Sequence, residues 1–358
     1  MSRYLLLDIG AGTMDVLYCD EESGVHYKAV VRSPVLSLAE KIEAVNGKLL
    51  ITGVEMGGGP ISRVLSRRAR ETEVVMSFSS AATIHHNLDR VRSLGIRVIE
   101  NHEVDDLLKK EGYGRITIGD LEVDRLQKIF KGFGVPFEFD ILGICAQDHG
   151  VPPDGVSHLD FRHNIFSAGL DENPYPHALL YKSNELPATF SRLTAISNTA
   201  KALPAKEIYV MDSGMAAIIG ASMDMQARSK KKILLLDVAT SHTLGAALDG
   251  DEIAAFFEYH THDITLKRLE SLLVELAEGN LKHERILSEG GHGAYHRKAL
   301  GFQNVELILA TGPKRSLVKE SKLPVVMGSP FGDNMMTGTV GILEAIRRRK
   351  GLQSMQYL

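Results

Sequence analysis

The chain opens on an apolar run at 4–7 that ends in Asp8, followed by a second apolar stretch at 14–19, a polar turn at 21–24 and a third stretch at 25–32. Short apolar runs bounded by turn residues predict strands, and three in close succession predict an antiparallel meander. Ser33-Pro34 then reads as a helix start, with Leu36, Ala39, Ile42 and Val45 at helical spacing behind it. Strands and helices alternate from there. Strands are predicted at 49–54, 74–78, 96–99 and 137–145, and helices from Pro60, over 80–94 and after Asp120. Such alternation predicts a mostly parallel sheet covered by helices on both faces. Residues 147–184, rich in Pro, Asp, His and Asn, break the pattern and predict a long irregular insert, functional or mobile.

Regular order returns with a helix at 191–203, a strand at 207–211 and a small-residue helix at 213–227. A second meander follows, with strands at 233–237, 243–248 and 252–259 and a turn at Gly250. Helices at 264–277 and 282–287, a strand at 305–309, a helix near 314–320, a strand at 324–327 and a last helix at 335–349 complete the chain. The two meanders match in detail. Leu5-Leu6-Leu7-Asp8-Ile9-Gly10-Ala11-Gly12-Thr13 aligns with Leu234-Leu235-Leu236-Asp237-Val238-Ala239-Thr240-Ser241-His242. Two such segments in the same surroundings indicate an internal repeat at domain scale.

The chemistry of the repeated turn is specific. Small residues let backbone N–H groups approach a phosphate, and Thr or Ser adds a hydroxyl donor. An Asp at the strand end repels phosphate and makes sense as a ligand, direct or through water, for a Mg²⁺ that bridges the phosphates. The bland reading of either turn alone is a hairpin with a capping Asp.

A length of 358 residues suits two lobes, and 44% hydrophobic with 24% charged residues is an ordinary globular composition. A net charge of −4 argues against a nucleic acid or an anionic membrane surface as the main partner. Residues 1–9 are too short for a leader and run straight into the motif, and no apolar stretch reaches the roughly 18 residues of a membrane span. Cys19 and Cys145 are the only cysteines, which fits a reducing cytoplasm and is too few for a four-thiolate cluster.

With these motifs the chain resembles the actin, sugar-kinase and Hsp70 superfamily. Asp8-Ile9-Gly10-Ala11-Gly12-Thr13-Met14-Asp15 looks like its first phosphate motif, and 211–220, opening Met211-Asp212-Ser213-Gly214, is similar to its first connecting helix. The Asp237 turn stands where the second phosphate motif belongs, 307–313 looks like the adenosine motif, and 334–346 looks like the second connecting helix. The resemblance implies a duplicated ribonuclease H-like (actin-like ATPase) α/β fold, two lobes around a cleft. It divides the chain into an N-terminal lobe at 1–200, with the insert at 147–184, and a C-terminal lobe at 201–334; the helix at 335–349 can return to the first lobe. The chain departs from the pattern at Ala239, His242 and Pro313, which weakens the case for vigorous ATP turnover. More closely, it resembles a prokaryotic family labelled as pyruvate formate-lyase activating. That label implies a radical enzyme with a three-cysteine motif, which Cys19 and Cys145 cannot supply.

The resemblance implies ATP and Mg²⁺ as cofactors. Asp8 and Asp237 would position the metal; Gly10, Gly12, Thr13, Thr240 and Ser241 would hold the phosphates; Gly312 would pass close to the adenine or ribose. Asp212 is the candidate for orienting an attacking water or hydroxyl, or else an N-cap of its helix. Asp15 reads as a pairing or capping residue. Gly57-Gly58-Gly59-Pro60, running from a strand into a helix, has the form of an anion-binding helix start, with Arg63, Arg67 or Arg68 beside it. Gly58, Gly59, Asp148 and His149 are the candidate substrate contacts. Among the 14 histidines, His158 with His163 and His292 with His296 have spacings that allow metal ligation. Three functions remain open: a phosphotransferase or ATPase acting on a small substrate, a nucleotide-dependent regulatory or protein-binding member, and a metal-dependent hydrolase using the histidines. A homodimer is compatible with all three.

Overall fold

Tyr4, Leu5, Leu6 and Leu7 are fully buried because their strand is central in its sheet, covered on both faces, which explains an apolar run without alternation. The computed structural model describes residues 2–109, 112–153 and 155–355. Met1, in the segment judged too short for a leader, and Asp154, in the predicted insert, lie outside them. Strands β1 (Arg3–Ile9), β2 (Thr13–Asp20) and β3 (Val25–Arg32) form the first meander, with Asp8 opposite Asp15 in the β1–β2 register.

The next four strands are β4 (Lys48–Gly53), β5 (Val74–Ser77), β6 (Ile96–Ile99) and β7 (Tyr113–Ile118). They pair parallel, as the alternation predicts, but in a sheet of their own with the order β6-β5-β4-β7. Alternation reports parallel pairing but not which strands pair. Val74, Met76, Leu49 and Ile51 bury a separate apolar cluster with Ile61 and Leu65 of the helix Gly59–Arg68.

The chain then returns to the meander. Strand β8 (Phe139–Ala146) pairs parallel to β1, placing Cys145 beside Asp8. With β9 (Leu180–Lys182) and β10 (Ala205–Met211) the sheet reads β3-β2-β1-β8-β10-β9. The second half contains β11 (Lys232–Val238), β12 (His242–Asp249), β13 (Glu252–His260), β14 (Gly293–His296), β15 (Leu307–Thr311) and β16 (Val325–Met327), in the order β14-β13-β12-β11-β15-β16. Without the edge strands β9 and β14, each sheet runs third-second-first-fourth-fifth, an antiparallel meander continued by parallel strands. The same ribonuclease H-like order occurs twice, which is the duplicated actin-like ATPase fold.

Two helices join the halves. Ser213–Ser222 and Thr337–Arg349 cross each other, and the second lies on β1 and β8. Strand β11 divides its side chains accordingly: Ile233 and Leu235 enter the core that holds the crossing helices, while Leu234, Leu236 and Val238 pack under the helix Leu266–Glu278.

The predicted insert is more regular than its composition suggests. It contains the helix His158–Glu172, capped by Ser157 accepting from the Leu159 N–H (3.2 Å). Its buried face is Arg162, Phe166 and Leu170, so a charged residue holds one of three core positions and hides the apolar period. The predicted helix at 80–94 is two short helices, Phe78–Ala81 and Leu88–Ser93. No helix of the described residues is long and apolar enough to cross a membrane.

Candidate functional site

Each meander turns at the end of its first strand, and the two turns close with the same three hydrogen bonds. In the first, Gly10 N–H donates to Thr13 O (3.0 Å), Ser33 N–H to Gly12 O (3.0 Å) and Ser33 Oγ to Gly10 O (2.7 Å). In the second, Ala239 N–H donates to His242 O (3.0 Å), Thr261 N–H to Ser241 O (2.9 Å) and Thr261 Oγ1 to Ala239 O (2.9 Å). The departures at Ala239 and His242 therefore leave the turn's backbone intact. Neither needs a positive φ, so an alanine is accommodated where the first turn has glycine. The turns meet at their tips: a Cβ on Gly12 would stand 2.9 Å from Thr240 Oγ1, so this glycine lets them approach.

Between them lies a cleft of about 930 Å³. It is lined by both turns, by Asp8 and Asp237, by Gly312, by Gly58 and Gly59 at the start of the helix that follows β4 in the inserted sheet, and by Asp148 and His149. The two carboxylates occupy equivalent strand ends. Asp237 accepts from Thr311 Oγ1 on the neighbouring parallel strand (3.3 Å), the position that Cys145 holds beside Asp8. Gly338, in the first turn of the second crossing helix, is glycine for a local reason: a Cβ there would lie 2.0 Å from Asp8 Oδ2. Gly312 has φ +89° and packs against the other carboxylate, where a Cβ would stand 2.7 Å from Asp237 Oδ1. It thus shapes the Asp237 end of the cleft, besides lining it where an adenosine contact is expected.

These carboxylates are electrostatically unsatisfied. Burial, reinforced by Asp237, pushes Asp8 up to about 7, and burial pushes Asp237 up to about 6. Asp15, raised to about 8 by burial and by Asp8, keeps its Oδ1 buried without a hydrogen-bond partner, so through that atom it neither pairs nor caps. Buried like charges call for a compensating cation, and three hard oxygen donors suit a divalent one. For the metal-free chain the sign follows directly. Native pKa values above the unfolded value of about 4 mean that the folded state binds more protons between those limits. This site's contribution to stability is therefore present at acid pH and withdrawn as pH rises from about 4 through 6–8. Urea unfolding without divalent ions at pH 5.5 and 8 should show Asp8→Asn gaining stability relative to the parent only at the higher pH; an equal change at both would contradict this.

Asp212 is placed differently from the cleft carboxylates. Its side chain caps its own helix, accepting from Gly214 N–H (2.9 Å), and both oxygens accept from Arg162 Nη2 at 3.0 Å. Arg162 also pairs with Glu258, whose other oxygen accepts from Gln147 Nε2 (2.7 Å). Despite burial, which raises it, the guanidinium holds Glu258 well below the usual range, whereas burial leaves Asp212 raised even beside Arg162. The sequence reading missed Arg162 and Glu258.

The remaining candidates separate. Asp148 is buried and accepts from Gly150 N–H (2.8 Å) and Leu193 N–H (2.9 Å), which fixes the loop that presents His149. Burial, with help from Arg162, lowers His149 to about 3, a neutral ring at pH 7. At the glycine run, Gly58 caps the helix Gly59–Arg68 without a side-chain bond, and a Cβ on Gly58 would strike Thr83 O at 2.3 Å. Of the three arginines there, Arg63 lines the cleft, Arg67 pairs with Glu43, and Arg68 is buried, donating to Gly47 O (2.7 Å). The histidine spacings did not predict partners: His158 stacks on His86, His163 on His283 at 3.9 Å, and His296 is exposed while His292 is buried.

No curated protein matches the chain. Among solved structures, the PilM-PilN type IV pilus biogenesis complex aligns at TM-score 0.40 and 11% identity, covering 96% of this chain and 98% of that one. A Bacteroides thetaiotaomicron protein with actin-like ATPase fold aligns at TM-score 0.37 and 9% identity, covering 94% of each chain. The activator of 2-hydroxyisocaproyl-CoA dehydratase from Clostridium difficile, with bound ADPNP, aligns at TM-score 0.34 and 8% identity, covering 99% of each. The fold assignment itself rests on the repeated strand order and turns. Cys19 and Cys145 are both buried free thiols, Cys19 pushed up to about 12 by burial. The family described as "Putative pyruvate format-lyase activating enzyme (DUF1786)" has a model that matches residues 56–317, well over half of the chain, and the chain belongs to that family.

Proposed function

We propose that the chain binds a Mg²⁺-nucleotide, ATP in the active state, between its two turns. The observation that supports this best is the identical closure of the turns around Gly10 and Ala239, with their tips in contact at Gly12 and Thr240. In this reading Gly10, Gly12, Thr13, Thr240 and Ser241 hold the phosphates, and Asp8 and Asp237 hold the metal. Bound Mg²⁺ supplies charge neutralisation on the phosphates. Gly58, Gly59, Asp148 and His149 border the space left for a small substrate, toward the inserted sheet.

Asp212 decides how active the site is. With its oxygens shared between Arg162 and the helix cap, it is a restrained carboxylate rather than a free base, which favours slow turnover and a nucleotide-dependent regulatory or protein-binding member over a fast phosphotransferase. Two buried reduced thiols fit a cytoplasmic protein.

Thermal unfolding with ATP, ADP or a non-hydrolysable analogue, with and without Mg²⁺, tests the binding. Nucleotide at 100 times its dissociation constant adds about 2.7 kcal/mol. Asp8→Asn and Asp237→Asn should each remove the Mg²⁺-dependent part. Lack of any shift with all three nucleotides would sink the reading. Turnover that appears only with metabolite pools would restore the phosphotransferase.

A further inference from the structure

His242, which departs from the phosphate motif, stands in a group of three histidines. It opens β12, and His260, its direct partner in the register, closes β13. His292 precedes β14 and is pinned by its N–H donating to Glu258 O (2.8 Å). Two adjacent strands and the entry to a third thus deliver one imidazole each. Ring centroids lie 4.7, 4.7 and 4.2 Å apart, and one nitrogen from each ring falls within 4.8 Å of the other two. His260 and His292 bring their Nε2 atoms to 3.0 Å. Nitrogens bound tetrahedrally to one zinc ion at about 2.1 Å stand about 3.4 Å apart, so small ring rotations close this set on a metal.

Structural histidines normally spend their nitrogens on carbonyls or hydroxyls. Here His242 Nε2 is buried without a partner, the state that a ligand has before a metal arrives, and His292 turns its Nε2 toward another imidazole. Glu258 lies behind His292 at 3.7 Å from Nδ1, where a carboxylate orients a ligating imidazole. Magnesium and calcium prefer oxygen donors, whereas three imidazoles suit zinc and its neighbours.

We propose that His242, His260 and His292 bind one divalent transition-metal ion of the zinc class. His242 and His260 line the cleft, so three protein ligands leave the fourth position to a water or a substrate oxygen, as in catalytic rather than structural zinc sites. The site adjoins Thr240 and Ser241, which places that oxygen beside the phosphate end of the cleft. This last placement rests on the nucleotide reading; the metal site does not.

Metal-free chain titrated with Co²⁺ should develop visible d–d absorption that saturates at one equivalent and is abolished by Zn²⁺. His260→Asn, at a position less buried than His242, should weaken Co²⁺ binding at least about 100-fold. His262→Asn, at an exposed neighbour with 73% of its side chain accessible, should change nothing. Absence of absorption in the intact chain overturns the proposal whatever the variants do, as does unchanged affinity in both His260→Asn and His242→Asn. Nucleotide shifts on the same samples keep the two readings apart, because loss of either signal leaves the other to be read.

Discussion

Gly341→Val is expected to destabilise the chain by at least about 3 kcal/mol and to weaken nucleotide-dependent stabilisation with it. A Cβ at Gly341 would lie 1.7 Å from Ala216 O and 2.9 Å from Gly220 N; one at Gly220 would lie 1.8 Å from Thr337 O. The obstacles are backbone atoms of the facing helix, so no side-chain rotation relieves them, and the crossing helices must separate. The same helix carries Gly338, packed on Asp8, so displacement there moves a carboxylate of the cleft. Urea unfolding measures the first effect and thermal shift with Mg²⁺-ATP the second. Gly132→Ala is the matched control. Gly132 sits in the helix Val123–Phe133 with nothing within 4 Å of its Cβ position, and alanine there should stabilise by about 0.5–1 kcal/mol. A loss under about 1 kcal/mol at Gly341 would mean that the helices are not held in backbone contact.

The fold was legible because its central strands carry a strong signal. β1 and β11 are buried on both faces and end in Asp8 and Asp237, so each meander announces itself as an apolar run closed by a carboxylate, and the repeat follows from aligning two segments. The inserted sheet was less legible: β4 to β7 show parallel alternation, but a period along the chain does not tell which strands pair. The helix His158–Glu172 was hidden because Arg162 occupies a core position on it.

The site was legible where its residues adjoin in sequence and obscure where the sheet brings them together. The two turns are contiguous motifs. The histidine trio arises from strand pairing, so fixed-spacing templates pointed to His158 with His163 and to His292 with His296 instead. His242 did leave a trace, since a departure from a phosphate motif can mark a residue kept for other chemistry. Asp212 stands out in the sequence by its place at a helix start, but its partner Arg162 lies 50 residues away.

That partner carries the second large expected effect. Arg162→Met should cost about 3–5 kcal/mol, because it leaves Glu258 and Asp212 buried without their cation. The side chains of Arg162, Glu258 and Asp212 are 7%, 5% and 3% exposed, so water cannot substitute. The pH dependence identifies the cause. Glu258, held well below its usual range by Arg162, contributes stability that is present above its unfolded pKa, near 4.3, and is lost as pH falls through the depressed native value. Without Arg162 its native pKa rises instead, so the deficit of Arg162→Met should be larger at pH 8 than at pH 5, where the carboxylates can protonate. Adding Glu258→Gln and Asp212→Asn to Arg162→Met should recover much of the loss at pH 8, since neutral groups of the same shape need no counter-ion. A deficit that is the same at both pH values and unrelieved in the triple variant would assign Arg162 a packing role, through its contact with the Phe166 ring at 4.7 Å, and not an electrostatic one.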